Sequence, residues 1–475
     1  MSTKHLSNAV SRRALLSQAG HGFGALAAAS LMAAPIPQAA AQAVAQTAAE
    51  TKAKAVIYLF MHGGVSHVDT WDPKPALSQR NGQTLPASFA AGLKTSRIDF
   101  TKAIMRGSPW EFPHHGQSGI PVSTLFPHIS KHVDDMVVVR SCYGDAFDHA
   151  PAMYLLSTGS QFPGKPSLGA WTIYGLGSEN KNLPGFVVMS DGAMKCGPQG
   201  YGAGYLPAVY QGTVFRGGKY PVLDLGNPQG VSPEVQKETL DLITDLDRRH
   251  LAARPGDDVL EARLASYELA YRMQAAAPDA VDLATESALT KRLYGLDDPL
   301  TEDFGRKCLL ARRLVERGVR FIQLYSGTHL GDDWDGAHND LTGSHHKMAK
   351  KSDQPIGALL TDLKARGMLD STLVVWASEF GRTPLAEGKN GRDHHPYAFS
   401  MWMAGAGIQG GRTFGATDEF GLRAVENPVT AHDVNATILR LMGVDHTKLT
   451  YFYQGRDQRL TDVHGEHEFT SFLLA

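Results

Sequence analysis

TLVVWASEFGRTPLAEGKNGRDHHP, residues 372–396, opens with a short continuous apolar run over 373–377, the pattern required of a strand buried on both faces. The run stops at Ser378-Glu379-Phe380-Gly381 and continues as Arg382-Thr383-Pro384. A loop rich in Gly, Asn and charge follows and closes on Gly391-Arg392-Asp393-His394-His395-Pro396. A carboxylate therefore stands at the tip of a central strand, with a histidine-rich turn returning behind it. Ligands of open α/β sheets bind outside the carboxyl ends of the strands. Glu, Asp, His and Arg gathered there point to a metal centre that handles an anion. The competing reading is a polar surface loop with no task.

Working outward, residues 356–366 read as a helix leading into that strand, with Asp353 before Gln354-Pro355 as its N-cap. Upstream, an amphipathic helix over 304–317 is stopped by Gly318, and a strand over 319–325 opens into Trp334-Asp335-Gly336-Ala337-His338. His345 and His346 read as a solvated helix face. Near the start, residues 54–61 form the first buried strand and run into His62-Gly63-Gly64-Val65-Ser66-His67-Val68-Asp69. Further strands are expected over 136–139, 186–189 and 400–404. Helices are expected over 125–133, 167–177 and 431–442, the last starting at His432-Asp433. Asp148-His149-Ala150-Pro151 opens another helix, and a helix N-terminus offers free N–H groups to an anion. Residues 197–227 read as loop and 233–294 as charged and helical. Strands alternating with helices give an α/β sandwich with a mostly parallel sheet and a helical insertion at about 197–300.

The chain has 475 residues and a net charge of -2, so neither a nucleic-acid partner nor a membrane surface is called for. Its three cysteines allow at most one disulfide and no cysteine-built zinc site. Ser11-Arg12-Arg13-Ala14-Leu15-Leu16 is a twin-arginine pattern. A weakly apolar run over 19–34 follows, with cleavage options at Ala41-Gln42-Ala43 and Ala43-Val44-Ala45. Residues 1–45 are therefore expected to be a signal read by the twin-arginine export machinery. The mature chain, 52–475, is expected to be a single periplasmic or secreted domain with no stable membrane span after cleavage. No GxxxxGK[ST], no GxGxxG after a strand, no HExxH and no GxSxG occurs.

Three strand-end loops carry ligand-type side chains: Asp69 with His67, Asp335 with His338, and Glu379 with His394. Such carboxylate–imidazole sets suit one or two divalent metal ions, zinc first, with manganese, iron or calcium also open. Two ions would clamp the attacking and leaving oxygens of an ester displacement. Arg382 or Arg392 could orient an oxyanion, His67 could touch substrate, and His149 could act as ligand, base or nucleophile. Against these stand plainer roles: Asp335 capping a turn, Arg382 pairing with Glu379, and one of His394 and His395 packing.

The stretches HGGVSHVDTWDPKP, FGRKCLLARRLVERGVRF, WDGAHND, SDQPIGALLTDLKARGMLDSTLVVWASEFGRTP, GRDHHPYAFSMWMAGAGIQGG and YQGRDQRLTDVHG together resemble the secreted, sulfatase-like proteins classed as domain of unknown function 1501. That family looks like a branch of the alkaline phosphatase and sulfatase superfamily. The resemblance implies a three-layer α/β/α sandwich with a metal site at the strand ends. Asp69 matches its first-strand metal aspartate, Asp335 and His338 its paired ligands, and His394 its distal histidine. Ser378-Glu379-Phe380-Gly381 stands where the superfamily has Asp-His-Gly, so Glu379 can replace the aspartate whereas Phe380 cannot bind metal. HAPAMYLLSTG resembles the nucleophile helix and puts His149 at the nucleophile position. No CxPxR is present, which argues against a formylglycine enzyme. Two functions follow as expectations. One is a metal-dependent hydrolase of anionic esters, such as a sulfated or phosphorylated saccharide. The other is a catalytically inactive secreted protein that binds an anionic polysaccharide or a cell-surface partner.

Overall fold

The first apolar segment, Ala55–Met61 (β1), is buried at every residue, and its side chains divide between two cores. Val56, Tyr58 and Phe60 enter one; Ile57, Leu59 and Met61 enter the other. A strand apolar at consecutive positions belongs in the middle of a sheet covered on both faces. In the computed structural model, which describes residues 52–475 apart from 101, 191, 224, 228, 255, 256 and 328–332, that is where β1 lies. The export signal expected over 1–45 falls outside the described residues.

The remaining strands of the main sheet are β2 (Met136–Cys142), β3 (Phe186–Ser190), β4 (Thr213–Arg216), β5 (Phe321–Ser326), β6 (Thr372–Ala377), β7 (Phe399–Gly405) and β8 (Arg412–Phe414). Their order is β8-β2-β7-β6-β1-β5-β3-β4. All neighbours pair in parallel except β7, which runs antiparallel to both β2 and β6. On one face lie α1 (His149–Thr158), α2 (Leu168–Leu176) and a later helix, Ala431–Leu441. Between β4 and β5 come α3 (Pro233–Ala252) and α4 (Asp258–Val281), within the segment expected as a helical insertion. On the other face lie α5 (Glu302–Glu316) and α6 (Leu341–Ala365). The architecture is a three-layer α/β/α sandwich around a mostly parallel sheet.

The strands expected from apolar runs all form. Two more, β4 and β8, sit at the edges. Edge strands bury less, and β4 alternates half-buried, exposed, buried and exposed residues, so no continuous apolar run announces it. The segment expected as a helix over 125–133 becomes a 3-10 helix, Ile129–Asp135. The helix expected from 356 begins instead at Leu341 and carries Pro355 in its interior. An interior proline costs roughly 3 kcal/mol, and burial of Met348, Ala349, Ile356, Leu359 and Leu363 along one face offsets it. Asp353 caps a different element: its carboxylate accepts the backbone N–H groups of His128 at 2.9 Å and Ile129 at 2.8 Å. His345 is fully buried rather than solvated, and its Nε2 accepts the Ser66 N–H at 3.0 Å. His432-Asp433 does start a helix, through a capping box between Thr430 and Asp433.

Candidate metal centre

The carboxyl ends of β1, β5 and β6 meet because two glycines allow it. Gly63 has φ +118°, and a Cβ there would lie 2.5 Å from the Asp335 nitrogen and 2.7 Å from the Trp334 nitrogen. The 3-10 turn Trp334–His338 therefore rests directly on the backbone after β1. Gly64, at φ +77°, leaves the same kind of room for the Phe380 ring. Glu379 follows β6 and is pinned by the Gly63 N–H, at 2.9 and 3.2 Å to its two oxygens. Gly381–Arg382 pairs with His394–His395 as a short antiparallel ladder, which folds the histidine turn back over the strand ends.

Three imidazoles converge here, each oriented in the same way. His149 Nδ1 bonds Glu379 Oε1 at 2.6 Å. His394 Nδ1 bonds the Phe147 carbonyl at 2.7 Å. His338 Nδ1 bonds the Glu387 carboxylate. With Nδ1 held by an oxygen in every case, all three Nε2 atoms turn inward on Asp335 Oδ1. They lie 3.0 Å (His149), 3.1 Å (His394) and 3.4 Å (His338) from it. The Nε2 atoms of His338 and His394 are only 2.8 Å apart. An oxygen on the outer nitrogen with the inner nitrogens crowded together is the arrangement that fixes histidines for a cation. His149, Asp335 and His394 offer ligand atoms all within 4.8 Å of one another, as do His338, Asp393 and His394. Asp393 is the poorer member, because its carboxylate already accepts the backbone N–H groups of His394 and Arg97 at 2.8 and 2.6 Å.

The electrostatics separate the histidines. Burial, reinforced by Arg382, pushes His394 down to about 4 and His338 down to about 2, leaving both neutral with free lone pairs. Burial acts the same way on His149, but its hydrogen bonds to Asp335 and Glu379 outweigh it and raise its pKa. For Asp335, burial is overcome by the hydrogen bond from His149, by the neighbouring His394 and by Arg382, and the carboxylate is held well below its usual range. The donor set, two neutral imidazoles and an ionised carboxylate with a third imidazole beside them, fits a borderline divalent ion.

Arg382 is fully buried and committed to the scaffold. It donates to the carbonyls of Gly63 and, at 2.9 Å, Gly64, and to Asp335 Oδ1 at 2.7 Å. It does not pair with Glu379. His395 is the packing member of its pair, with Nε2 on the Leu422 carbonyl at 2.8 Å. Three residues grouped with the centre from sequence lie outside this cluster. Asp69 and Arg392 are both fully buried and hold each other, with Nε to Oδ2 at 2.7 Å and Nη2 to Oδ1 at 3.2 Å. Asp69 also takes the Ser66 hydroxyl, and Arg392 is spent further on the Thr383 and Arg106 carbonyls. A buried carboxylate with a guanidinium fork and a hydroxyl on its oxygens is neutralised where it stands. His67 bonds the Gly421 carbonyl through Nε2 at 2.8 Å and stacks on His395.

Other residues join the site unannounced. Lys195, from the loop after β3, bonds Asp335 Oδ2 at 2.7 Å and Asp333 Oδ2 at 3.3 Å. An isolated lysine in a glycine-rich loop carries no sequence signal for this. Glu387, which orients His338, sits in a charged loop where any carboxylate looks solvated. His62 was findable, since it directly precedes Gly63-Gly64. It is fully buried, and neither ring nitrogen has a partner among the described residues.

Fold and cluster together define an α/β protein with a three-histidine, one-aspartate centre at the carboxyl ends of its central strands. The chain belongs to the family described as "Protein of unknown function (DUF1501)", which it matches over residues 53–470. No curated protein sequence matches it. Among solved structures it is similar to the PsFucS1 sulfatase from Pseudoalteromonas sp., at 15% identity and a TM-score of 0.39 over 93% of this chain and 76% of that one. It is also similar to the alkaline phosphatase of the Antarctic bacterium TAB5, at 11% identity and a TM-score of 0.34 over 83% and 99%. A third is the lipoteichoic acid synthase LtaP from Listeria monocytogenes, at 10% identity and a TM-score of 0.34 over 83% and 73%.

Proposed function

We propose that the chain is an exported, metal-dependent hydrolase of phosphate or sulfate esters or related anionic esters, working without formylglycine. The observation that carries this reading is the convergence of three inward-turned Nε2 atoms on Asp335 Oδ1. Asp335, His338 and His394 would hold a divalent ion, with His149 and Glu379 beside it. A bound ion would supply Lewis acidity toward the ester oxygen and a water of lowered pKa. His149 differs from the other two imidazoles in having a carboxylate at each ring nitrogen, Glu379 at Nδ1 and Asp335 at Nε2, which outweigh its burial and raise its pKa. That raised pKa suits it to give a proton to a leaving oxygen. Lys195 presents an ammonium at the same carboxylate and can balance charge on an anionic substrate. Arg382 positions Asp335 and the backbone of Gly63 and Gly64 rather than substrate. The twin-arginine pattern at 11–16 supports export, and among the described residues no helix is long and apolar enough to cross a membrane.

One observation favours the binding-only reading: the Phe380 ring packs 4.9 Å from His149 and 4.5 Å from His394, filling space beside the cluster with carbon. A panel of chromogenic phosphate and sulfate monoesters, run with added zinc, manganese or calcium, separates the two. Metal-dependent turnover that His149→Ala abolishes supports the hydrolase. A protein that holds metal stoichiometrically yet turns over no ester in the panel supports the binding protein.

A further inference from the structure

A cleft of about 530 Å³ opens at the sheet edge, away from the metal centre, between the turn after β4, the end of α4 and the start of α5. Arg216, Lys219, Lys291, Arg292, Arg306 and Lys307 line it, against only Asp282 and Asp297. Some of these cations are occupied: Arg306 pairs with Glu302 at 2.7 Å, and Lys291 bonds the Ala284 carbonyl at 2.9 Å. Arg216, Lys219 and Arg292 are exposed and pair with no carboxylate among the described residues. In a chain whose net charge is -2, such a surplus in one concavity is local, and a concavity lined by one sign of charge concentrates counter-charge. Leu283, Leu296 and Leu310 give it an apolar floor.

The register fixes where this cleft stands relative to the metal centre. Arg216 pairs with Ser190, Met189 with Leu324, and Tyr325 with Phe60. Arg216 is therefore level with Phe60, two residues before His62, on the same carboxyl edge of the sheet. Three ladder spacings separate β4 from β1, roughly 15 Å. Lys195, from the loop after the intervening strand β3, already reaches Asp335.

We propose that this cleft is a second anion subsite of the same substrate. It takes a sulfate or phosphate group a few units along a polyanionic chain from the ester held at the metal centre. This rests on reading the centre as an anionic-ester site. The test uses fluorescein-labelled dextran sulfate oligosaccharide and labelled polyphosphate of matched charge. Each is titrated into wild type, Arg216→Glu/Arg292→Glu and the milder Arg216→Gln/Arg292→Gln, at low and high salt. The charge-reversed protein should bind at least one of the two chains about tenfold more weakly, with a flatter salt dependence, and the glutamine variant should fall between. Whichever chain loses affinity identifies the anion. Turnover of a short chromogenic monoester should stay at the wild-type level in both variants. Unchanged affinity for both chains, or no binding of either by wild type, overturns the subsite. Affinity lost in a protein that hydrolyses no ester leaves the subsite standing and removes the hydrolase. Ester hydrolysis with unchanged chain affinity does the reverse.

Discussion

At Asp335 Oδ1, three imidazole nitrogens and a guanidinium nitrogen lie between 2.7 and 3.4 Å from one oxygen. So many donors on one atom need either protons or a cation between them, and the depressed pKa values of His338 and His394 mean that those two do not supply protons. Glu387 tests this through a residue that does not touch the ion. Glu387→Gln keeps the shape but weakens the acceptor on His338 Nδ1, and should lower metal affinity about 10- to 100-fold by isothermal titration. An unchanged affinity would remove His338 from the ligand set. His345 gives a prediction independent of metal. Burial holds its pKa down at about 3, below the ordinary 6.5, so the unfolded chain binds its proton first. Its contribution is complete above pH 6.5 and is lost as pH falls toward 3. Metal-free protein should lose about 3 kcal/mol of urea stability between pH 7 and 4 from this group. His345→Gln should begin less stable at pH 7 yet show a shallower acid limb; parallel limbs would contradict the assignment. The residues proposed to hold the ion were legible in sequence, because Asp335 and His338 lie in the loop beyond one apolar run and His394 in the histidine-rich turn that returns behind another. The pairing of Asp69 with Arg392 was not. A carboxylate in a strand-end loop looks the same whether its partner is an ion or an arginine 323 residues away.

Among the elements, the docking of the Trp334–His338 turn on β1 depends on Gly63. Gly63→Ala places a methyl against backbone atoms at 2.5 and 2.7 Å, at a φ of +118°. It should cost about 1–3 kcal/mol and abolish metal binding, read by thermal melting and metal analysis. Retained metal at wild-type affinity would show that the turn docks by other means. On the opposite face, Arg312 is 2% exposed and holds Glu286 at 2.7 Å, Glu316 at 2.7 Å and Asp362 at 3.0 Å, tying α5 to α6 and to the insertion. Arg312→Met removes one guanidinium from three carboxylates that keep Arg313 or Arg366 as partners, and should cost about 1–3 kcal/mol in urea unfolding. A change within ~0.5 kcal/mol would mean that those acids are solvated. The central strands were readable because burial on both faces leaves an unbroken apolar run. The start of α6 was not, because Pro355 looks like a first-turn proline until the tertiary burial of Met348 and Ala349 is known.

For the molecule as a whole, the parallel sheet is a device for bringing residues hundreds of positions apart to one edge. His149, Asp335 and His394 come from a helix start, a 3-10 turn and a two-residue ladder, yet share one pocket. Alternating strands and helices made that edge predictable from the chain order, whereas the edge strands and the basic cleft depend on register that no local pattern encodes. Cation binding at Asp335 is the property on which the proposed function depends. An anomalous-scattering map of crystals grown with zinc examines it directly. It should show a peak roughly 2.0–2.2 Å from Asp335 and from Nε2 of His338 and His394. A map with no peak there, or with its only peak at Asp69, would contradict it.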